Sequence, residues 1–253
     1  MKKVLMAVLC SAVSLPSAVV AREVHDIGQI VVTASKSSQN ISQIGSSATV
    51  ITREEIEKSG KQNAGELLRN IPGVSVVRTS GPGSISLVYL RGGQPGRTMV
   101  LIDGVEVRDP MEIDGGFFNF ASVSANNIER IEIILGPQSA LYGSSAMAGV
   151  INIITKKGAG PLSGGIKLEG GSYNTYNSSF DIGSGGEKGS VFAGASYFRT
   201  KGFSAAATGE ESDGAALAEF NVGFEYNLNE TSNLEASIRH SNLNVDIDEV
   251  DLY

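Results

Sequence analysis

Tryptophan is absent from the 253 residues, cysteine occurs once and histidine twice. The single cysteine, Cys10, lies in the first apolar stretch, so the chain beyond it has neither a disulfide framework nor a thiolate metal site. His25 and His240 stand far apart, which leaves a histidine metal centre or acid/base dyad without support. An excess of positive charge is also lacking, because 27 acidic residues face 20 basic ones. That balance argues against a nucleic-acid partner. No apolar run after the first stretch reaches the roughly 20 residues of a membrane-spanning helix. A helical membrane protein is excluded, but a β-barrel is not, since its strands need only about 10 alternating residues each. There is no nucleophile elbow, Walker loop or pair of carboxylates at catalytic spacing, and no enzymatic activity is expected.

What is present begins with a leader. Lys2 and Lys3 form a basic start, Val4 to Val13 an apolar run, and Val19-Val20-Ala21 small residues suited to cleavage. This is the pattern of a secretory signal peptide over residues 1–21. A membrane anchor is the alternative, but Ser11, Ser14, Pro16 and Ser17 interrupt the run short of a span. Ala7-Val8-Leu9 lacks the small residues of a lipoprotein signal, so Cys10 is not read as lipidated. Removing the leader takes away two lysines and no acid, leaving 18 basic against 27 acidic residues.

Three regions follow. Residues 22–47 are polar apart from Gln29-Ile-Val-Val-Thr-Ala34 and read as a flexible arm. Residues 48–157 mix helix and strand signals and read as a compact α+β domain. Thr52-Arg-Glu-Glu55 has the form of a capping box and predicts a helix to Ser59 ended by Gly60. A second helix is expected over Ala64–Asn70, with Leu67, Leu68 and Ile71 inward and Pro72-Gly73 closing it. Strands are expected at Val74–Val77, Ser86–Arg91, Met99–Asp103 and Ile128–Leu135.

Residues 158–253 open with a glycine-rich hinge and continue as β pattern. Phe220, Val222, Phe224 and Tyr226 alternate with Asn221, Gly223, Glu225 and Asn227, and Leu234, Ala236 and Ile238 with Glu235, Ser237 and Arg239. Five strands are expected, at 163–170, 173–182, 190–200, 217–228 and 233–243. The connections after the second and fourth are short and the one after the third, 201–216, is long. Outer-membrane barrels have short periplasmic turns and longer outer loops, and these connections fall accordingly. A soluble antiparallel sheet with one wet face shows the same alternation and is the alternative.

The richest segment runs from Ile128 to Thr155. Ile131, Ile133 and Leu135 form an apolar face with Arg130 and Glu132 on the other. Gly136-Pro137 stops that strand, because proline has no N–H for the ladder. Gly143 to Gly149 turns the chain, and Val150 to Ile154 suits a buried strand. Together with Leu90-Arg-Gly-Gly93 and Leu101-Ile-Asp-Gly-Val105, this segment resembles the plug domain of the TonB-dependent outer-membrane receptors. The resemblance covers nearly all of the chain after the leader. It implies an α+β plug domain followed by the antiparallel β strands of an incomplete transmembrane β-barrel, in the cell outer membrane. Barrels of this family have about 22 strands. Five cannot close one, so the chain is expected to be a fragment that does not transport alone.

The resemblance also implies partners and sites. Ile30, Val31, Val32, Thr33 and Ala34 look like the TonB box, an extended β-branched run able to add as a strand to a TonB-type periplasmic energy-coupling protein. The resemblance implies energy-coupled import of a scarce, bulky small-molecule ligand, a cobalamin by a small margin over a ferric siderophore. Loops around 80–84, 92–97 and 109–118 supply the ligand-contact candidates Ser80, Pro82, Ser84, Gln94, Arg97, Asp109, Asp114 and Phe117. Arg91, Asp103, Glu129, Arg130 and Glu132 are expected to form structural ion pairs and lumen contacts. No cofactor is required, and calcium is the one candidate ion. Glu211, Asp213, Asp246 and Asp248 fall in two outer loops, and converging carboxylates are the hard ligands calcium takes.

Within the family the chain is most similar to the cobalamin-receptor subgroup, through Gly170-Gly-Ser-Tyr-Asn-Thr-Tyr176 and Thr200-Lys-Gly-Phe203. Ser204 stands where that subgroup has an aspartate, so a solvated acidic loop remains the alternative to a calcium site. A secreted binding module with a soluble β-sheet is the competing class. A signalling receptor would need a further folded domain between Ala21 and Ile30.

Overall fold

The computed structural model describes residues 31–32, 39–40, 47–107, 116–204, 213–229 and 231–246. In the arm, β1 (Val31–Val32) pairs antiparallel with β2 (Gln39–Asn40). β3 (Ser47–Ile51) then leads into α1 (Arg53–Ser59). The Thr52 hydroxyl accepts from the Glu55 N–H at 3.4 Å while Glu55 Oε2 accepts from the Thr52 N–H at 2.8 Å. The predicted capping box is thus closed, and Gly60 ends the helix at φ 64°. α2 (Ala64–Leu68) is capped by Asn63 and buries Leu67 and Leu68. It stops before Asn70 because the Arg69 N–H bonds Glu66 O, a tighter turn that leads into Pro72-Gly73.

The rest of the first domain is β4 (Val74–Arg78), β5 (Ser86–Leu90), β6 (Thr98–Ile102), β7 (Val105–Glu106), β8 (Ile128–Leu135), the single turn α3 (Ser139–Tyr142) and β9 (Gly149–Thr155). β4 and β5 form a hairpin. The other strands form a mixed sheet in the order β3-β8-β9-β6-β7, in which β6 and β9 run parallel. One face packs Ile131, Ile133, Ile151 and Ile153 against Leu68, Leu90 and Phe120. The other packs Ile134 and Val150 against Met99, Leu101 and Ala146. Burial on both faces is why β8 and β9 are nearly continuous apolar runs. Glu132 forms the expected ion pair, holding Arg130 at 2.8 Å, and is fully buried. Glycine is required at 149, where φ is 152° and an added Cβ would lie 2.3 Å from the Ile134 carbonyl oxygen.

The second region is β10 (Ser163–Gly171), β11 (Thr175–Gly186), β12 (Gly189–Thr200), β13 (Ala215–Asn229) and β14 (Ser232–Val245), antiparallel and in sequential order. Tyr173 and Asn174, both at positive φ, make the tight turn between β10 and β11. Register places Phe220 opposite His240 and Ala195, and Phe224 opposite Ala236 and Val191. Ile166, Leu168, Phe180, Val191, Tyr197, Phe220, Phe224, Tyr226 and Ile238 are accordingly exposed on one face. Asn177, Ser196, Glu219 and Asn221 are buried on the other, against the first domain. The apolar-out, polar-in pattern is that of a barrel wall around a plug. The five strands form an open sheet, and the barrel is not closed by them.

Candidate functional site between plug and wall

A short polar segment of the plug, Ser122-Val-Ser-Ala-Asn-Asn127, docks on the wall. Two 3-10 turns, Phe120–Ser122 and Ala125–Asn127, capped by Asn119 and Ser124, shape it. Glu219 on β13 accepts from the Ser124 N–H at 2.7 Å. Asn126 Nδ2 donates to Asn177 Oδ1 on β11 at 3.0 Å, and Asn127 Nδ2 to Ser196 Oγ on β12 at 3.5 Å. Ser241 Oγ on β14 donates to the Ser122 carbonyl at 2.7 Å. Asn177 Nδ2 also donates to Gln62 Oε1 of the plug and to Glu169 Oε2 on β10. Ser196, Glu219 and Ser241 are direct register partners, as are Glu169 and Asn177. All five strands therefore give one polar residue to a single belt around the plug.

Charged contacts lie beyond the belt. Lys156 Nζ meets Asp181 Oδ1 on β11 at 2.9 Å, and Lys157 Nζ meets Glu235 on β14 at 2.8 Å and Glu225 on β13 at 3.3 Å. Burial works against the Lys157 charge, but the two carboxylates outweigh it and hold its pKa above the ordinary lysine value. Asp103, at φ 51°, clips the β6–β7 turn to the end of β9, accepting from Thr155 N at 2.8 Å and Thr155 Oγ1 at 2.7 Å. It is a structural clasp within the plug. Arg91, also at positive φ, donates its N–H to the Gly73 carbonyl at 2.8 Å.

The sequence candidates fall into separate places. Ser80 and Ser84 lie in the loop that joins β4 to β5, where Ser84 Oγ accepts from the Ser80 N–H. The Ser80 hydroxyl donates to Asp213 Oδ2 at 3.2 Å, at the root of the long β12–β13 connection. A Cβ at Gly81 would lie 2.7 Å from Asp213, and one at Gly83 only 2.5 Å from Ala215. The loop containing Pro82 is therefore seated against the rim of the wall. Gln94 and Arg97 follow the opposite end of the hairpin, and Arg97 reaches Met147 Sδ at 3.0 Å. Phe117 is near them, lining a small hollow with Gly96 and Ser145. Asp109 and Asp114 lie outside the described residues.

Of the calcium candidates, Asp213 is 1% exposed, and the Asp246 N–H bonds the Gly214 carbonyl at 2.9 Å. Their two connections thus adjoin, while Glu211 and Asp248 lie outside the described residues. Among the described residues no group of three potential metal-binding side chains comes together. Of the TonB-box candidates, Val31 and Val32 pair as β1, and Ile30, Thr33 and Ala34 lie outside.

The belt is what the sequence reading missed. Its signal was the polar half of each wall strand's alternation, together with a polar run placed immediately before the most buried strand of the plug.

Comparison with known proteins agrees with this geometry. The family described as TonB-dependent Receptor Plug Domain matches residues 40–150. A vitamin B12 transporter BtuB of Vibrio vulnificus (strain CMCP6) is 31% identical over 238 residues, which are 94% of this chain and 37% of that protein. One of Photobacterium profundum is 37% identical over 190 residues, 75% of this chain and 31% of that protein. The chain thus spans about a third of the length of these relatives. The pyoverdine outer-membrane receptor FpvA of Pseudomonas aeruginosa PAO1 superposes with a TM-score of 0.71 at 21% identity, over 87% of this chain and 31% of that one. At that identity the likeness concerns the fold. The chain belongs to the TonB-dependent receptors of the outer membrane, is similar to their cobalamin subgroup, and carries a plug domain and five strands of the wall.

Proposed function

We propose that the chain forms the plug and adjoining wall of a receptor that imports a cobalamin across the outer membrane, driven by a TonB-type periplasmic protein. The observation that carries this reading is the similarity to vitamin B12 transporters over 94% of the chain, plug and wall together. In this reading the 79–85 loop, seated at the wall's rim, meets ligand, the polar belt holds the plug, and Ile30 to Ala34 receive the pull. Calcium at the roots of the outer loops belongs to the same proposal, with Asp213, Asp246, Glu211 and Asp248 as its carboxylates. The remaining ligand candidates are contacts of the bound cobalamin.

Uptake and surface binding of labelled cyanocobalamin by cells carrying the receptor test the reading, with ferric siderophores as competitors. Val31→Pro removes a backbone donor from the added strand and is expected to abolish uptake while leaving surface binding intact. Normal uptake by that variant would reject the TonB-box assignment. Binding displaced by a ferric siderophore and not by cobalamin would reject the ligand.

A further inference from the structure

The outward face of the wall carries almost no charge. Lys167 and Glu169 on β10 pair with each other at 3.0 Å, beside Asn177 of the belt. Asp181 meets Lys156, Glu225 and Glu235 meet Lys157, and Glu219 meets Ser124 and Arg239. The acidic, lysine and arginine residues of β10–β14 thus sit on the inward face with a single exception. Arg199, next to the last residue of β12, shares the outward face with Val191, Ala195 and Tyr197 and is exposed. None of the inward carboxylates faces it.

Its height on the wall explains why a charge is tolerated there. Arg199 stands ten residues beyond Gly189 at the short turn, about 33 Å along the strand at about 3.3 Å per residue. A strand tilt of about 40° brings that to about 25 Å across the membrane, the full height of the apolar band. A charge on the lipid face is costly at the midplane and nearly free at the interface. Exposed Tyr173 and Phe203, with ring centroids 5.7 Å apart, mark that interface. Lys201 is exposed just beyond Arg199, and its N–H bonds the Tyr173 carbonyl at 2.9 Å. Register sets the neighbours. Tyr176 lies directly opposite Arg199 on one side, with Ala216 and then Asn244 on the other. One row nearer the midplane, Tyr197 is followed by Ala218 and Asn242. The guanidinium and two exposed amides therefore flank a shallow recess floored by alanines.

We propose that Arg199, Lys201, Asn242 and Asn244 form a docking site on the outer rim for the phosphorylated sugar headgroup of an outer-leaflet glycolipid, with Tyr176 and Tyr197 against its acyl chains. The planar guanidinium matches phosphate oxygens two at a time, the amides suit sugar hydroxyls, and the tyrosines sit where ring and hydroxyl meet apolar and polar layers. The site depends on the wall facing lipid and is independent of which ligand the receptor imports. Native mass spectrometry of the full receptor in detergent, titrated with diphosphorylated lipid A, tests it. Wild type is expected to bind that lipid about five-fold or more tighter than its dephosphorylated form, as charge-assisted bonds to phosphate require. Arg199→Gln with Lys201→Gln should erase the preference. Arg199→Lys should keep part of it, because an ammonium meets phosphate as a point charge. Lys167→Gln, which removes a charge from the inward face, should change nothing. Equal binding of the two lipid forms by wild type, or a preference that survives the double variant, would overturn the site. So would phosphatidylglycerol binding as tightly as lipid A, which would make the rim a general anionic surface, or displacement of the lipid by millimolar inorganic phosphate, which would make it a free-anion site. Should the double variant lose the unheated gel mobility of a folded barrel, Arg199→Gln alone carries the same comparison.

Discussion

Asn177→Leu removes the centre of the belt, and its cost can be worked from the contacts. Asn177 bonds Asn126 and Gln62 of the plug and Glu169 of the wall. Each bond contributes about 1 kcal/mol net. Glu169 keeps Lys167 at 3.0 Å and is partly solvated, so its share is discounted. The two plug-facing bonds, and the buried amides left without partners, give a loss of about 2–3 kcal/mol. Leucine recovers little, because its neighbours there are polar. At about 1.4 kcal/mol per decade, the undocked population should rise roughly 30- to 140-fold. Hydrogen exchange of the 122–127 segment in the micelle-embedded receptor reads this through the Ser124 amide, which donates across to Glu219 of the wall. Asn177→Asp keeps the size but turns a donor into a carboxylate facing Glu169, and should do at least as much. Exchange within about three-fold of wild type in both variants, against an expected loss of about 2–3 kcal/mol, would refute the belt as the plug's seat.

Gly149→Ala should destabilise the plug by more than about 3 kcal/mol, because its Cβ meets a strand carbonyl, whereas Gly223→Ala, whose Cβ meets nothing within 4 Å, should stay within about 0.5 kcal/mol; protease protection of the plug separates them. Lys157 has a raised folded-state pKa, so its stabilisation is complete below the ordinary lysine value of about 10.4 and is lost as pH rises through the raised one. With Asp103, Lys156 and Arg239 lining a cavity beside it, the Tm gap between wild type and Lys157→Met should stay level from roughly pH 6 to 9 and shrink only above about 10.4. Calcium should raise cyanocobalamin affinity with a Kd of roughly 10⁻⁴ to 10⁻³ M, and Asp213→Asn with Asp248→Asn should abolish the gain. Calorimetry without calcium heat in that range would leave a solvated loop.

The wall was legible because its information is local. Period-2 alternation marks which residues face lipid, and the strand ends depart from the expected ones by at most four residues, β11 starting two later, at Thr175, and running four further, to Gly186. The α1 boundaries followed from Thr52, Glu55 and Gly60, each acting within one turn. What stayed hidden was long-range. Nothing in Met99 to Ile102 announces a parallel partner fifty residues on, and β3, only five residues long, reads as the end of an arm. The ion pair expected of Glu132 is present, but alternation alone could not tell that its side of β8 packs against a second buried layer. Asn126 and Asn127 passed for loop residues because their partners are supplied by strands that lie far along the chain.

The belt is made mostly of amides, hydroxyls and backbone groups, with Glu169 and Glu219 as its carboxylates among the described residues. Dissolved salt screens separated charges beyond about 8 Å at 0.15 M but scarcely touches neutral hydrogen bonds. The Lys157 contacts with Glu235 and Glu225 are ionic and partly open to water. Rising salt should therefore weaken the Lys157 contacts to β13 and β14 while the neutral hydrogen bonds of the belt hold, so that the plug loosens in place without leaving its seat.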